Sequence, residues 1–267
     1  MRNIASSRYS RLRSKSTRLL ARISLHAPPP ARVIPNKGPL MKLTLLLSLL
    51  LPLAAQTLTL PPHLIRLLQF PTPEPPPLSA APTAGIFLFA MSAITGQSES
   101  WILETHNSFQ SLEDFDAAQS RAPKPDARTL LALHRQNWSY RPDEAVQALR
   151  KARYFQVSYY RTGLGSESEF FEILNARRAS LDYLNIDRPF LVYQVIAGAP
   201  SGTYIVFSPL PSLKTFDEFP RRVNISRTPA RPATDVTHEN ILFRLHPALS
   251  HVSPEFAESD PLFWRAK

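Results

Sequence analysis

The sequence contains no cysteine among its 267 residues. Disulfide bonds, thiol catalysis, cysteine-ligated zinc sites and iron–sulfur clusters are therefore excluded. The folded state must instead depend on an apolar core. The roughly 210 residues after Ala55 are enough to build such a core in one or two domains.

Acidic residues are absent from the first 55 positions, which carry ten basic residues. Removing these ten from the total of 31 leaves 21 basic residues against 21 acidic ones. The chain after Ala55 is therefore formally neutral, although the whole chain has a net charge of +10. We expect no nucleic-acid partner, because the folded part lacks the excess of positive charge that such binding needs.

The segment Met41–Ala55 is predicted to be a secretory signal peptide. A methionine is followed by Lys42, an apolar run covers residues 43–53, and two alanines form a small-residue exit. The apolar run is shorter than the ~20 residues that cross a membrane, so cleavage is expected rather than a stable membrane span. The mature protein is then predicted to begin near Gln56 and to be periplasmic or extracellular.

Residues 1–40 allow three interpretations. They are upstream sequence translated from too early a start codon, and thus a non-native or disordered leader, or they extend the basic start of the signal peptide. Alternatively, their arginine- and serine-rich, acid-free composition is typical of a mitochondrial transit peptide.

Two halves of the remaining chain resemble each other, with a first repeat over 57–150 and a second over 151–267. In each half an apolar strand, a turn, an aromatic-led strand and a serine-opened acidic helix follow in order. These stretches are Phe87–Gly96, Trp101–Glu104 and Ser108–Phe115, matched by Phe190–Gly198, Tyr204–Phe207 and Ser212–Phe219. A weaker match, 111 residues apart, pairs residues 130–140 with 241–251.

The second repeat is predicted to begin with a strand at Tyr154–Tyr160, where β-branched and aromatic residues alternate with polar ones. Ser166 and Glu169 have the spacing of a capping box, which predicts a helix start. Phe170, Ile173, Leu174, Leu181 and Leu184 give this helix one apolar face. Residues 154–251 thus predict a β-α-β-β-α-β unit, the ferredoxin-like arrangement, with a long connection over 221–238.

The first repeat is predicted to lack its first helix. Its opening strand is His63–Phe70, and the prolines of Pro71–Pro82 then prevent a helix. Either this copy lost the helix or the local reading frame is altered. The predicted fold class is α+β, with the two repeats forming an intramolecular barrel, a pseudo-dimer. Apolar strand residues such as Phe87, Phe190 and Tyr204 are expected to be covered by the sister sheet.

The chain resembles the dimeric α+β-barrel superfamily, which includes antibiotic-biosynthesis monooxygenase-like, ethyl tert-butyl ether degradation protein-like and NIPSNAP-like domains. Tyr154–Phe170 carries this resemblance, as a strand, an arginine, a glycine turn and a helix with an early phenylalanine. Residues 133–142 and 253–264 resemble uncharacterised exported bacterial proteins with two such copies. The resemblance implies the fold and a ligand held between the sheets, but no shared catalytic signature.

Four residues are candidates for a ligand site. His106 and His134 lie near strand ends, but neither has the spacing of a metal motif, so no metal or cofactor is predicted. On the strand at 154–160, the polar set with Gln156 and Tyr160 is expected to face the cavity between the sheets. The alternative is that all four residues are structural.

Two functions are compatible with the sequence. The first is a non-catalytic exported barrel that binds a small apolar ligand or serves a structural role. The second is a monooxygenase-like enzyme that acts on a small apolar substrate or on haem. Whether the protein is an enzyme is left open by the residues themselves, because no set of polar groups predicts a reaction.

Overall fold

The computed structural model describes residues 58, 60–77, 85–119, 126–163, 165–217 and 236–265. These residues belong to one compact unit, Pro52–Lys267. The predicted leader, the signal peptide at Met41–Ala55 and the mature start at Gln56 lie outside the described residues. So does most of the predicted connection over 221–238.

The described residues include eight strands, five helices with defined bounds and a helical turn at 214–217. The strands are β1 Leu64–Phe70, β2 Leu88–Ala93, β3 Ser100–His106, β4 Arg128–His134, β5 Tyr154–Thr162, β6 Leu191–Ala197, β7 Thr203–Leu210 and β8 Val236–Leu245. The helices are α1 Phe109–Ala118, α2 Pro142–Leu149, α3 Glu167–Tyr183, α4 Pro254–Ala257 and α5 Pro261–Trp264. Within the described ranges, no helix combines the length and apolar character needed to cross a membrane.

The strands close into an eight-stranded antiparallel barrel in the order β1-β3-β2-β8-β5-β7-β6-β4. Strands β1 to β4 are arranged as β4-β1-β3-β2, and strands β5 to β8 as β8-β5-β7-β6. Pairing of β2 with β8 and of β4 with β6 joins the two sets. The fold is thus a mixed α and β structure with a closed barrel, as the predicted class requires at this level.

Similar hydrogen bonds join the two sets of strands at both junctions. At the β4–β6 junction, the Arg135 amide donates to the Val192 carbonyl (2.8 Å), and Tyr140 and Phe190 exchange two backbone bonds (2.9 and 3.1 Å). A 3₁₀ turn, Gln136–Trp138, lies between these contacts.

The β2–β8 junction is built in the same way. The His246 amide donates to the Ala90 carbonyl (2.9 Å), and Leu88 and His251 exchange two backbone bonds (2.8 and 2.7 Å). The 3₁₀ turn here is Pro247–Leu249. His246 and His251 each lie 111 residues after their counterparts Arg135 and Tyr140, which is the offset seen in the sequence.

The inside of the barrel is filled by apolar side chains from all eight strands. Aromatic rings dominate, and the Trp101 and Phe243 rings lie 4.5 Å apart. Buried side chains of α2 and α4 join the same cluster, which we call the lumen cluster. Its aromatic members on the strands are Phe89, Trp101, Phe155, Tyr193, Phe207 and Phe243.

Helix α3 covers the outer face of the second set of strands. Its start after Ser166 and its apolar residues Phe170, Leu174 and Leu181 agree with the prediction, and all three are buried. The predicted capping box is wrong in detail, since the Ser166 side chain makes no cap hydrogen bond. Its ψ angle of 19° differs from the extended conformation that directs a capping oxygen toward the helix amides.

Strands β6 and β7 are apolar on both faces, and this corrects one expectation. Leu191, Tyr193, Ile205 and Phe207 face the lumen cluster. Phe190, Val192, Tyr204 and Val206 instead pack on the outer face, in a cluster with α3. Both faces are apolar because one is covered by the barrel interior and the other by a helix.

The connection between β1 and β2 contains no helix in its described residues, 71–77 and 85–87. Helix α1 therefore covers the outer face of β1 to β3, with Leu112 and Phe115 buried. Its predicted start is confirmed, because the Ser108 side chain accepts from the Ser111 amide at 3.1 Å. Phe109 was expected on the buried face but is 46% exposed.

Candidate functional site

Gln156 and Tyr160 face outward from the barrel, which reverses the sequence-based expectation. Phe155 and Val157 belong to the lumen cluster, so strand alternation places Gln156 and Tyr160 on the opposite face. Tyr160 lies in the outer apolar cluster with Phe170, at a ring distance of 5.0 Å. Because the barrel interior is filled by apolar side chains, the apolar side of β5 faces inward. The polar side of β5 therefore lies beneath α3.

A group of polar side chains lies between α3 and the sheet. Gln156 and Ser158 stand on β5, and Ser208 lies directly opposite Gln156 on β7. Arg177 comes from α3, and Arg188 from the connection between α3 and β6. We call these five residues the outer polar layer. Ser158 and Ser208 are almost completely buried.

Arg177 forms the centre of the outer polar layer. Its guanidinium donates to the Ser208 hydroxyl at 3.1 Å and to the Ser158 hydroxyl at 3.5 Å. Its Cζ atom lies 4.7 Å from the centre of the Phe190 ring, a cation–π distance. Burial lowers the pKa of Arg177, and the Tyr160 hydroxyl partly opposes this change. The partners of this cation are therefore neutral groups.

Arg188 is also enclosed, with only 8% of the residue exposed. Its Cζ atom lies 4.5 Å from the centre of the Phe216 ring, in the helical turn at 214–217. Its Nε and Nη2 atoms are buried and have no hydrogen-bond partner. Burial, and then the charge of Arg177, lower the pKa of Arg188 to about 10, so the side chain stays charged at neutral pH.

Sequence reasoning missed both arginines, although a signal for Arg177 exists. Arg177 lies seven residues after Phe170, three after Leu174 and four before Leu181, and thus within the apolar face of α3. A charged residue on the apolar face of a helix predicts a buried polar contact. No comparable periodicity surrounds Arg188, because it lies in a connection.

The outer face beneath α1 carries an ionic network with a different charge balance, which runs from the buried Glu104 to the exposed Asp116. The Arg66 Nε atom donates to Glu104 Oε2 at 2.5 Å, and Nη1 donates to Asp116 Oδ1 at 2.6 Å. The pKa of Arg66 is raised, because these two carboxylates outweigh the opposing effect of burial. This partly buried arginine is therefore paired with carboxylates of the same chain.

The candidate residue His106 lies beside this network and not in the outer polar layer. Its Nε2 atom is 3.6 Å from Glu104 Oε2, and its Nδ1 atom is 3.5 Å from the Ser111 hydroxyl. Its ring also meets Phe115 edge-on, at 5.7 Å between ring centres. These contacts are those of a packed outer-face side chain.

The candidate residue His134 lies at the β4–β6 junction, and its contacts indicate a structural role. Its Nε2 atom is 3.0 Å from the Ser139 hydroxyl, which also accepts from the Val192 amide at 2.9 Å. Burial, and then the nearby His63, lower the pKa of His134 to about 4. The structure therefore brings Gln156 and Tyr160 to one face but does not bring His106 or His134 to them.

A cleft of about 300 Å³ opens where the β6–β7 turn meets the start of α3. Its charged lining residue, Glu167, already accepts a hydrogen bond from the Tyr204 hydroxyl at 3.2 Å. Burial, and then Glu167, raise the pKa of Tyr204 to about 12. The cleft is lined by Thr162, Gly163, Gly165, Glu167, Gln194, Val195, Ile196, Ser201 and Gly202.

Among the described residues, no group of three or more metal-binding side chains is placed to hold a metal ion. No protein-family model and no curated protein matches the chain.

Three solved structures are similar in shape. An anthrone oxidase-like protein is 12% identical, with 69% of this chain and 91% of that one covered and a TM-score of 0.44. A candidate monooxygenase from Fusobacterium nucleatum is 11% identical, with 69% and 93% covered and a TM-score of 0.39. A candidate chlorite dismutase is 10% identical, with 70% and 95% covered and a TM-score of 0.39. Similarity at this level transfers no activity to the present chain.

Proposed function

We propose that this protein is a non-catalytic small-ligand-binding protein whose site is the outer polar layer. The observation that carries the proposal is a set of buried polar atoms in that layer that have no hydrogen-bond partner. Gln156 Oε1 and two nitrogens of Arg188 lack hydrogen bonds there. A buried polar group without a partner is costly, so a ligand that supplies partners would be bound favourably.

The filled barrel supports the same location. The lumen cluster contains large rings in close contact, such as the Tyr193 and Phe207 rings at 5.9 Å. A ligand in the lumen would have to displace these close-packed side chains. No arrangement of the described residues favours the monooxygenase-like alternative.

Fragment binding followed by NMR tests this proposal on the full chain. Labelled protein is titrated with a library of small acids, amines and neutral compounds. We expect at least one compound to shift the Arg177 Nε–H resonance while the indole resonance of Trp101, in the lumen cluster, stays unchanged. A shift of Trp101 alone would place the site in the lumen, and no binding at millimolar concentration would leave only a structural role.

Variants that keep the side-chain shape add a control. Replacing Gln156 by Met removes the amide of the layer, and replacing Gln110 by Met removes an exposed amide on α1. We expect the first change to weaken binding several-fold and the second to leave it unchanged. Equal affinities would argue against the outer polar layer. A chromophore in protein purified from the native host would instead favour the monooxygenase-like function.

We also propose that the two sets of strands are copies of one ferredoxin-like unit. Their identical strand orders and the matched hydrogen bonds at the two junctions support this origin. The absence of a helix in the described part of the β1–β2 connection is consistent with a first copy that lost it. The barrel is then an intramolecular pseudo-dimer.

Export is a further proposal, supported by the composition of Met41–Ala55 and by the neutral charge of the chain that follows. N-terminal sequencing of protein from the native host tests it. We expect a start near Gln56 and recovery outside the cytoplasm. Mature protein that retains residues 1–40 would contradict the proposal.

A further inference from the structure

The guanidinium of Arg188 offers an unused pair of donors. Its unpartnered atoms, Nε and Nη2, lie on the same edge of the planar group. Their N–H bonds are parallel and match the spacing of two oxygens in a carboxylate or phosphate group. An unpartnered nitrogen pair of this kind fits two oxygens of one anion.

The surroundings of Arg188 are positive and apolar. Arg177 is close enough for its charge to lower the pKa of Arg188, and the Phe216 ring lies against the guanidinium. The hydrogen bonds that Arg177 donates in the described structure go to serine hydroxyls. Two neighbouring cations that no described carboxylate pairs with are unfavourable in an enclosed site, and a bound anion would offset this cost.

We propose that the outer polar layer binds a small anion with two adjacent oxygens, held side-on by Nε and Nη2 of Arg188. This proposal rests on the proposed ligand-binding function. Arg177 adds a second positive charge, and the partly exposed Phe216 ring beside Arg188 supplies a surface for an apolar part of the ligand. The chemical class is a carboxylate or a phosphate monoester with a small apolar body.

Binding of matched probes to the full chain tests the proposal. Benzoate, phenyl phosphate and benzylamine are titrated at constant ionic strength, with the Arg188 Nε–H resonance and the melting temperature as readouts. We expect benzoate or phenyl phosphate to shift the resonance and raise the melting temperature, and the stronger of the two identifies the anion. Benzylamine is expected to do neither.

Three variants separate the guanidinium geometry from charge. Arg188→Lys keeps the charge but loses the parallel donors, so we expect at least tenfold weaker binding. Arg188→Met is expected to abolish binding without lowering the melting temperature of the free protein, since it removes an unpaired buried cation. Arg161→Met removes an exposed arginine on β5 and is expected to change neither property.

The outcomes distinguish this proposal from the broader function. If benzylamine but neither anion bound to the layer, the proposed ligand-binding function would be supported, and the proposal that the ligand is an anion would be contradicted. Failure of all probes would overturn both. Glu218 follows the described helical turn and lies outside the described residues. If Glu218→Gln and Arg188→Met lowered the melting temperature equally and no anion bound, an internal ion pair would replace the proposed site.

Discussion

Replacing Ser139 by Ala should weaken the junction between β4 and β6. The Ser139 hydroxyl accepts from the Val192 amide at 2.9 Å and donates to the Arg135 carbonyl, 3.1 Å away. Val192 is completely buried, so its amide would find no water after the substitution. The loss of a partner for a buried donor costs about 1–3 kcal/mol.

Urea denaturation measures this effect. With an m-value of about 2 kcal/mol/M, the expected loss lowers the unfolding midpoint by about 0.5–1.5 M. Ser180→Ala is the matched control, because the Ser180 hydroxyl donates to a carbonyl on the exposed side of α3. The control should stay within about 0.5 kcal/mol of the unchanged protein.

Hydrogen exchange shows whether the change is local. The Val192 amide should exchange faster in Ser139→Ala, whereas the control should leave its exchange rate unchanged. The reasoning would be refuted if both variants unfolded at the same urea concentration. Ser250, which accepts from the Ala90 amide at 3.0 Å in the other junction, should respond like Ser139.

Three further predictions concern stability and assembly. The lowered pKa of His134 means that its protonation favours the unfolded chain, so the free energy of unfolding should fall between pH 6.5 and about 4. Urea titration at each pH should show a smaller fall in His134→Gln. Gly198→Ala should lower the melting temperature far more than Gly165→Ala, because both have positive φ but only at Gly198 would a Cβ lie 2.0 Å from a backbone oxygen. Residues 150–267 alone should dimerise or aggregate in ultracentrifugation, because their lumen face would be exposed, and a stable monomer would contradict the intramolecular barrel.

Much of the barrel could be predicted because its local signals are strong. Alternation over 154–160, the apolar face of α3 and the Ser108 cap each correspond to an observed element. Helix α2 was missed, although it has Pro142 at its start and acidic residues in its first turn. These are ordinary helix-start signals, but only residues 133–142 were interpreted, as part of the family resemblance, and no prediction was made for the residues that follow.

The direction of side chains was harder to predict than the strands themselves. Alternation on β5 separates Phe155 and Val157 from Gln156 and Ser158, but it does not say which set faces inward. That choice depends on whether the barrel interior is filled or hollow. The lumen cluster fills it, so the apolar set lies inside and the polar set lies beneath α3. The orientation of β5 therefore depends on packing with strands that are distant in the sequence, and no local sequence pattern indicates it.

The arginines on the two outer faces of the barrel have different partners, and this contrast supports the choice of candidate site. Arg66 pairs with Glu104 and Asp116 beneath α1, so the fold supplies its own counter-charges there. Beneath α3, Arg177 is bound to hydroxyls, and two nitrogens of Arg188 have no partner. A stabilising role would favour the balanced arrangement on both faces, because a buried charge without a counter-charge lowers the stability of the free protein. Among the residues that the structure describes, no carboxylate pairs with Arg177 or Arg188, and this is the arrangement for which the proposed anion would supply the counter-charge.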